Sequence, residues 1–237
     1  MNKIDKSTFE FRQFFDKDTG TFTYLIFDSE NSEGLIIDPV REQFDQTLRL
    51  IQELGLKLKF VIDTHVHADH VTSSRMLRKV TGAKSVFGEL SEVECADILI
   101  KDGDELNFGR FFLRAISTPG HTNACMSFYT EGRIFTGDSL LIRSCGRTDL
   151  QKGNPKKLFE SITKKLYVFP DKTYVYPGHD YLGRTVTCIR EEKAFNSRIN
   201  SEQTLGKFIQ IMDNLNLPKP KRIDEAVPLN LKCGYSS

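Results

Sequence analysis

The chain has 237 residues, with 33 Lys and Arg against 32 Asp and Glu and a formal net charge of +1. That balance excludes bulk nucleic-acid binding, which needs basic surface to neutralise phosphates. A composition of 39 % hydrophobic and 27 % charged residues excludes disordered and fibrous classes. No apolar run approaches the roughly 20 residues that a membrane-spanning helix needs, so no membrane partner is expected. The opening stretch from Met1 to Lys6 lacks the apolar core of a signal peptide and reads as cytoplasmic, with a processed mitochondrial matrix form as the other option. Cys95, Cys125, Cys145, Cys188 and Cys233 are odd in number, scattered and without a CxxC pair. They read as reduced thiols that serve as small core residues.

Thr21–Asp28 and Gly34–Asp38 read as a hairpin around a turn-rich segment. Glu42–Leu54 places Phe44, Leu48, Ile51 and Leu54 at helical intervals and closes on Gly55. Lys59–Asp63 is a short buried strand, Val71–Val80 a helix ending near Gly82, and Lys84–Phe87 another strand. Residues 105–138 read mostly as strands separated by Gly and Pro turns. Pro155–Leu166 is a helix with Asn154 as its N-cap. Thr173–Tyr176 is a strand, Val186–Arg198 a helix, and Thr204–Leu215 the last helix. Strand–helix, a run of strands, then strand–helix predicts an α/β fold with helices on the outer faces of sheets. Pro218–Arg222 reads as a tether to a short C-terminal tail, about residues 200–237, so residues 1–237 are expected to form one domain.

All five histidines fall in three short segments. His65, His67, Asp69 and His70 follow the strand that ends at Asp63. His121 lies in a Pro-Gly-His turn after the strand ending near Ser117, and His179 lies in a second such turn after Tyr176. Asp138 follows a strand in Thr-Gly-Asp. Each segment runs strand, tight turn, ligand-type side chain, which converges donors from rigid supports. Three His spaced HxHxxH have a chance expectation on the order of 10⁻³ to 10⁻² in such a chain. A metal site is therefore expected, and the spacing of all seven donors by itself predicts two metals, with Asp138 bridging.

HxHxDH, Pro-Gly-His, Thr-Gly-Asp and Pro-Gly-His in this order resemble the metallo-β-lactamase superfamily, which implies an αββα sandwich with the metal site at one edge of two sheets. Ile62–Thr72, Thr118–Asn123, Phe135–Arg143, Cys145–Asp149, Met212–Pro220 and Ala226–Pro228 are similar to persulfide dioxygenases within it. That resemblance implies one Fe(II) per chain, held by His65, His121 and Asp138, with His67, Asp69, His70 and His179 around it. Two His and a carboxylate leave three metal positions open, which suits the meeting of a sulfur anion and O₂. The implied reaction turns glutathione persulfide, O₂ and water into sulfite and glutathione, with His179 and Asp69 hydrogen-bonding to the site.

Glutathione carries two carboxylates, so its site wants cations. Arg147 is the first substrate-binding choice because an Arg fork matches a carboxylate, although a structural pairing with Asp149 fits it equally. Tyr181 is a substrate-facing hydroxyl or a packed aromatic. Arg184 and Arg190 are weaker choices, and Cys145 reads as structural. The rival function is a thioester hydrolase of the glyoxalase II type, with two Zn, Fe or Mn ions and all seven donors. The resemblance leans toward a homodimer.

Overall fold

The computed structural model describes residues 8–234. Two six-stranded sheets face each other among them. The first orders β1(Phe9–Asp16), β2(Thr21–Asp28), β3(Glu33–Ile37), β4(Lys57–Ile62), β5(Lys84–Gly88) and β6(Ile98–Ile100) side by side. The second runs β12(Thr187–Cys188), β11(Tyr174–Pro177), β10(Arg133–Gly137), β9(Met126–Thr130), β8(Phe111–Ser117) and β7(Glu105–Phe108). β3 through β6 pair in parallel, as do β10 and β11, while the remaining neighbours are antiparallel.

Strand alternation explains the layers. In β2, Phe22, Tyr24 and Ile26 point between the sheets and pack with Phe108, Phe128 and Phe135 from the opposite sheet. Leu25 and Phe27 point the other way, onto α1(Phe44–Glu53) and α2(Ser74–Thr81) through Ile51 and Leu77. Both faces of β2 are thus covered, and all eight of its residues are buried. Beyond the second sheet, Ile134 and Val175 pack on α3(Pro155–Ser161), α4(Ile189–Phe195) and α5(Leu205–Asp213) through Leu158, Ile189 and Phe208. The layer order is helix, sheet, sheet, helix. No helix of the described residues is long and apolar enough to cross a membrane.

The expected hairpin is β2 and β3, and Asn154 caps α3 by accepting the Lys157 N–H at 2.9 Å. Pro155–Leu166 continues past α3 as a widened turn over Ile162–Leu166. Three boundaries differ for tertiary reasons. The helix expected from Val71 begins at Ser74, because the Val71 carbonyl accepts from the Arg41 N–H at 2.8 Å while the Arg75 N–H, its helical partner, donates to the Cys233 carbonyl at 3.2 Å. The helix expected from Val186 first gives up Thr187 and Cys188 to pair with Val175 and Tyr174. Phe9–Asp16, not singled out in the sequence, completes the first sheet along β2.

The expected helix Thr204–Leu215 is α5(Leu205–Asp213), but it is not the last: the chain beyond the Pro218–Arg222 tether folds into α6(Ile223–Asn230), which packs beside the histidine motif. The cysteine reading also needs correction. Cys95 and Cys233 form a disulfide, while Cys125, Cys145 and Cys188 are free. A separation of 138 residues hides that pairing from any local pattern, and it is the packing of the C-terminal segment against the β5–β6 connection that brings the two together.

Candidate metal centre

The site forms where β2, β4, β8, β10 and β11 end on one edge of the sandwich. The two Pro-Gly-His turns need glycine for different reasons. Gly120 has φ +142° and its Cβ would lie 2.3 Å from the Leu158 backbone. A Cβ on Gly178 would lie 2.7 Å from Asp138 Oδ1. The second turn is tied on both sides, since the Gly178 N–H donates to the Gly137 carbonyl and the Phe22 N–H donates to the Gly178 carbonyl, each at 2.8 Å.

Donor atoms of His65, His121 and Asp138 lie within 4.8 Å of one another. Hydrogen bonds fix both imidazoles. Thr64 donates its hydroxyl proton to Asp38 Oδ2 at 2.9 Å and therefore accepts from His65 Nδ1–H at 3.0 Å. His121 Nδ1–H donates to the Arg147 carbonyl at 2.8 Å. In both rings the Nε2 lone pair is left free, the tautomer that a metal requires. Burial, then the neighbouring His67 and His121, push the His65 pKa well below its usual range, so the ring is neutral. Burial opposes ionisation of Asp138, but the charge and hydrogen bond of His179 outweigh it and hold the carboxyl below its usual range. Two imidazoles and one carboxylate are a donor set that fits a divalent cation.

His179 holds two carboxylates at once. Its Nδ1 lies 2.6 Å from Asp138 Oδ1 and its Nε2 lies 3.0 Å from Asp69 Oδ2. Burial disfavours its charge, yet Asp138 and Asp69 raise its pKa well above the usual value. Asp69 Oδ2 also meets His70 Nδ1 at 2.8 Å and the Thr21 hydroxyl at 3.1 Å. His67 Nε2 is 3.1 Å from Asp38 Oδ1, an interaction that overcomes burial and raises His67 to about 9. His67, Asp69 and His70 form a second close donor group, and His67 Nδ1 and His70 Nε2 are buried with no hydrogen-bond partner.

Sequence reasoning passed over three supporting residues. Asp38 pins both Thr64 and His67, and its place at the end of β3 in Gly-Leu-Ile-Ile-Asp repeats the strand-end pattern of Asp138. Thr21 touches Asp69 and His179, and nothing local marks it. Asn230 donates to the carbonyls of His67 and His70, both at 2.9 Å, from a helix about 160 positions downstream.

A cavity of about 930 Å³ opens over the triad. Arg147 lines it, but both arms of its fork are engaged: Nε and Nη2 donate to Asp149 at 2.7 Å, and Nη1 donates to the Pro218 carbonyl at 2.7 Å. Tyr181 lines the same cavity, 75 % exposed, with its ring parallel to His179 at 6.0 Å. Arg184 lines it too, paired with Asp180, whereas Arg190 is an exposed residue away from it. Cys145 is fully buried and its thiol is pushed up to about 12 by burial, as a structural cysteine should be.

Residues 16–179 match the model of the metallo-beta-lactamase superfamily. The chain belongs to that superfamily. A solved structure of ETHE1 from Myxococcus xanthus is 49 % identical and covers 95 % of this chain and 100 % of its own, with a TM-score of 0.92. Persulfide dioxygenase ETHE1 of Mus musculus is 46 % identical over 95 % of this chain and 89 % of its own length. A hydroxyacylglutathione hydrolase of Brucella anthropi is more distant, 33 % identical over 74 % of this chain. Within the superfamily the chain is therefore a member of the persulfide dioxygenase family and an enzyme.

Proposed function

We propose that the protein oxidises glutathione persulfide with O₂ and water to sulfite and glutathione, using one Fe(II) held by His65, His121 and Asp138. The balance is GSSH + O₂ + H₂O → GSH + SO₃²⁻ + 2 H⁺, in which the outer sulfur loses the four electrons that reduce O₂. Two imidazoles and one carboxylate would hold the iron, which would supply oxygen activation when bound. The chain's residues do the rest. Thr64 and the Arg147 carbonyl keep the two imidazoles in the binding tautomer, and His179 orients Asp138 by holding its second oxygen. Asp69 and His179 form a proton-holding pair beside the site, and the cavity wall with Tyr181 contains the substrate. The protons released by the reaction have an exit through such pairs.

What supports a count of one metal is the triad His65, His121 and Asp138 in a chain of the persulfide dioxygenase family, with His179, 2.6 Å from Asp138 and 3.0 Å from Asp69, read as its hydrogen-bonding neighbour. The dinuclear reading, with thioester hydrolysis, draws on the unpartnered His67 Nδ1 and His70 Nε2. Metal analysis of anaerobically purified protein, coupled to O₂ uptake with glutathione persulfide, separates the two. About one iron per chain and O₂ uptake are expected. Two zinc ions per chain, thioester hydrolysis and no O₂ uptake would overturn the proposal. His121→Ala and Asp138→Ala should each abolish iron retention, and full stoichiometry in either would refute the ligand set.

A further inference from the structure

Two of the three triad donors depend on one loop, residues 138–147. Asp138 opens it, and the Arg147 carbonyl that closes it accepts from His121 Nδ1–H at 2.8 Å. The two ends are pinched together. The Gly146 N–H donates to the Asp138 carbonyl at 2.8 Å, and a Cβ on Gly146 would lie 2.2 Å from that oxygen. His121 Nε2 and Asp138 Oδ2 stand 3.6 Å apart beside the pinch. Apart from a bridge between Leu141 and Ser144, no strand or helix holds the loop, so its polar groups need other partners. Four consecutive carbonyls find them on residues 184–198. Arg184 Nη2 donates to the Ile142 carbonyl at 3.1 Å and the Ser197 hydroxyl to the Arg143 carbonyl at 2.9 Å. Asn196 Nδ2 donates to the Ser144 carbonyl at 2.9 Å and Arg198 Nη1 to the Cys145 carbonyl at 2.6 Å.

Glu192, on α4, is the centre of this grip. It is 0 % exposed. A buried carboxylate is costly unless its oxygens are met by donors, and here four donors meet them. Oε2 accepts the Arg143 N–H and Asn196 Nδ2, both at 2.8 Å. Oε1 accepts the Thr187 hydroxyl at 2.7 Å and Arg143 Nη1. Arg143 has φ +61°, a left-handed conformation that a residue with a side chain keeps only where its surroundings enforce it. One carboxylate thus takes both the backbone N–H and the guanidinium of the residue at which the loop turns left-handed.

We propose that Glu192 is a positioning residue of the metal centre. By holding Arg143 in its left-handed turn it sets the path of the loop, and with it the place of Asp138 relative to His121. Its own contacts are all with Arg143, Thr187 and Asn196, so it acts through the loop alone. The inference rests on the reading of His121 and Asp138 as ligands for its effect on metal binding, and on the loop geometry for its effect on the backbone.

Glu192→Gln tests it, because it keeps the size but turns an NH₂ group toward donors. Co(II), as an optical probe in competition with a coloured chelator, should bind this variant about tenfold more weakly. In metal-free protein the Gly146 N–H should exchange with solvent about tenfold faster. Adding Arg143→Gly should recover most of both losses, since glycine adopts a positive φ without a clamp. A general loss of stability does not produce that rescue. Asp28→Asn, at the far end of β2 from Thr21, is the control for such a loss and should leave Co(II) affinity and Gly146 exchange at wild-type values. If Glu192→Gln fails to fold, Arg143→Ala and Arg143→Gly replace it, with Ala about tenfold weaker for Co(II) and Gly close to wild type. Unchanged Co(II) affinity in Glu192→Gln, where Asp138→Ala abolishes binding, overturns the proposal, and so does the absence of recovery with Arg143→Gly. Faster Gly146 exchange that Arg143→Gly rescues, in a chain whose Asp138→Ala variant binds Co(II) in full, overturns the ligand reading and leaves the loop clamp standing.

Discussion

Replacing Asn230 with Ala removes the clamp between the C-terminal helix and the metal-binding loop. The Asn230 amide donates to the His67 and His70 carbonyls, and its Oδ1 accepts the Thr72 N–H, all three at 2.9 Å. The residue is 1 % exposed, so water does not take its place. A buried polar group left without a partner costs about 1–3 kcal/mol. Three groups at the low end of that range amount to about 3 kcal/mol, or about 6–12 °C in Tm for a chain of this size. Urea unfolding with a chelator present isolates this loss from metal binding, and competition with a coloured chelator then reads metal affinity. Affinity should fall about tenfold or more, because the clamp positions the loop that carries His65. Asn230→Asp keeps the acceptor for Thr72 but sets an anion against two carbonyl oxygens, and should be no milder than Ala. Variants within about 0.5 kcal/mol of wild type, with unchanged metal affinity, would show that the loop holds its shape without α6.

His179→Ala should leave Asp138 and Asp69 facing each other with no cation between them and cost about 2–4 kcal/mol in chelated protein. Added divalent metal should recover part of that Tm loss, and no recovery would argue against Asp138 as a ligand. Asp28 is fully buried, and although burial raises its pKa, hydrogen bonds from Asn31, Arg110 and Glu30 win and hold it well below the usual value. Its contribution is therefore present above the unfolded carboxyl pKa of about 3.9 and is lost as pH falls below it. Asp28→Asn should cost about 1–3 kcal/mol at pH 7, with the gap to wild type closing below about pH 4 in pH-dependent unfolding. A gap that stays constant would remove Asp28 from the acid limb. Reducing the Cys95–Cys233 bridge, which spans 138 residues, should lower stability by about 2–5 kcal/mol, read as the difference in urea unfolding with and without dithiothreitol. Cys95→Ser should then show the same value with or without reductant.

Much of the donor set was legible because its grammar is local. A strand, a turn with Gly, and a His or Asp at the strand end are encoded within a few consecutive residues, as in Pro119-Gly120-His121 and Thr136-Gly137-Asp138. Alternating apolar residues and amphipathic spacing pointed to sheets covered by helices, and the αββα layering was implied by the resemblance of the motif order to one superfamily. Asp38 could have been read too, since it ends a strand just as Asp138 does.

Long-range partners carried no such mark. Thr21 reaches His179 across 158 positions, and Asn230 reaches the His67 and His70 carbonyls across 163 and 160. Cys95 and Cys233 meet only because the C-terminal segment packs against the β5–β6 connection. Arg147 is the mixed case. Its spacing to Asp149 showed that a pair was feasible, but an Arg fork can serve a neighbour or a ligand equally well. The Leu217 and Pro218 carbonyls, some 70 positions away, join Asp149 on that fork, contacts that no local pattern marks. Sequence order specifies which donors stand at strand ends, because backbone geometry there is set by near neighbours. Which hydrogen bonds those donors keep, and so which lone pairs remain for a metal, depends on groups that only the packing of sheets and C-terminal helices brings within 3 Å or so.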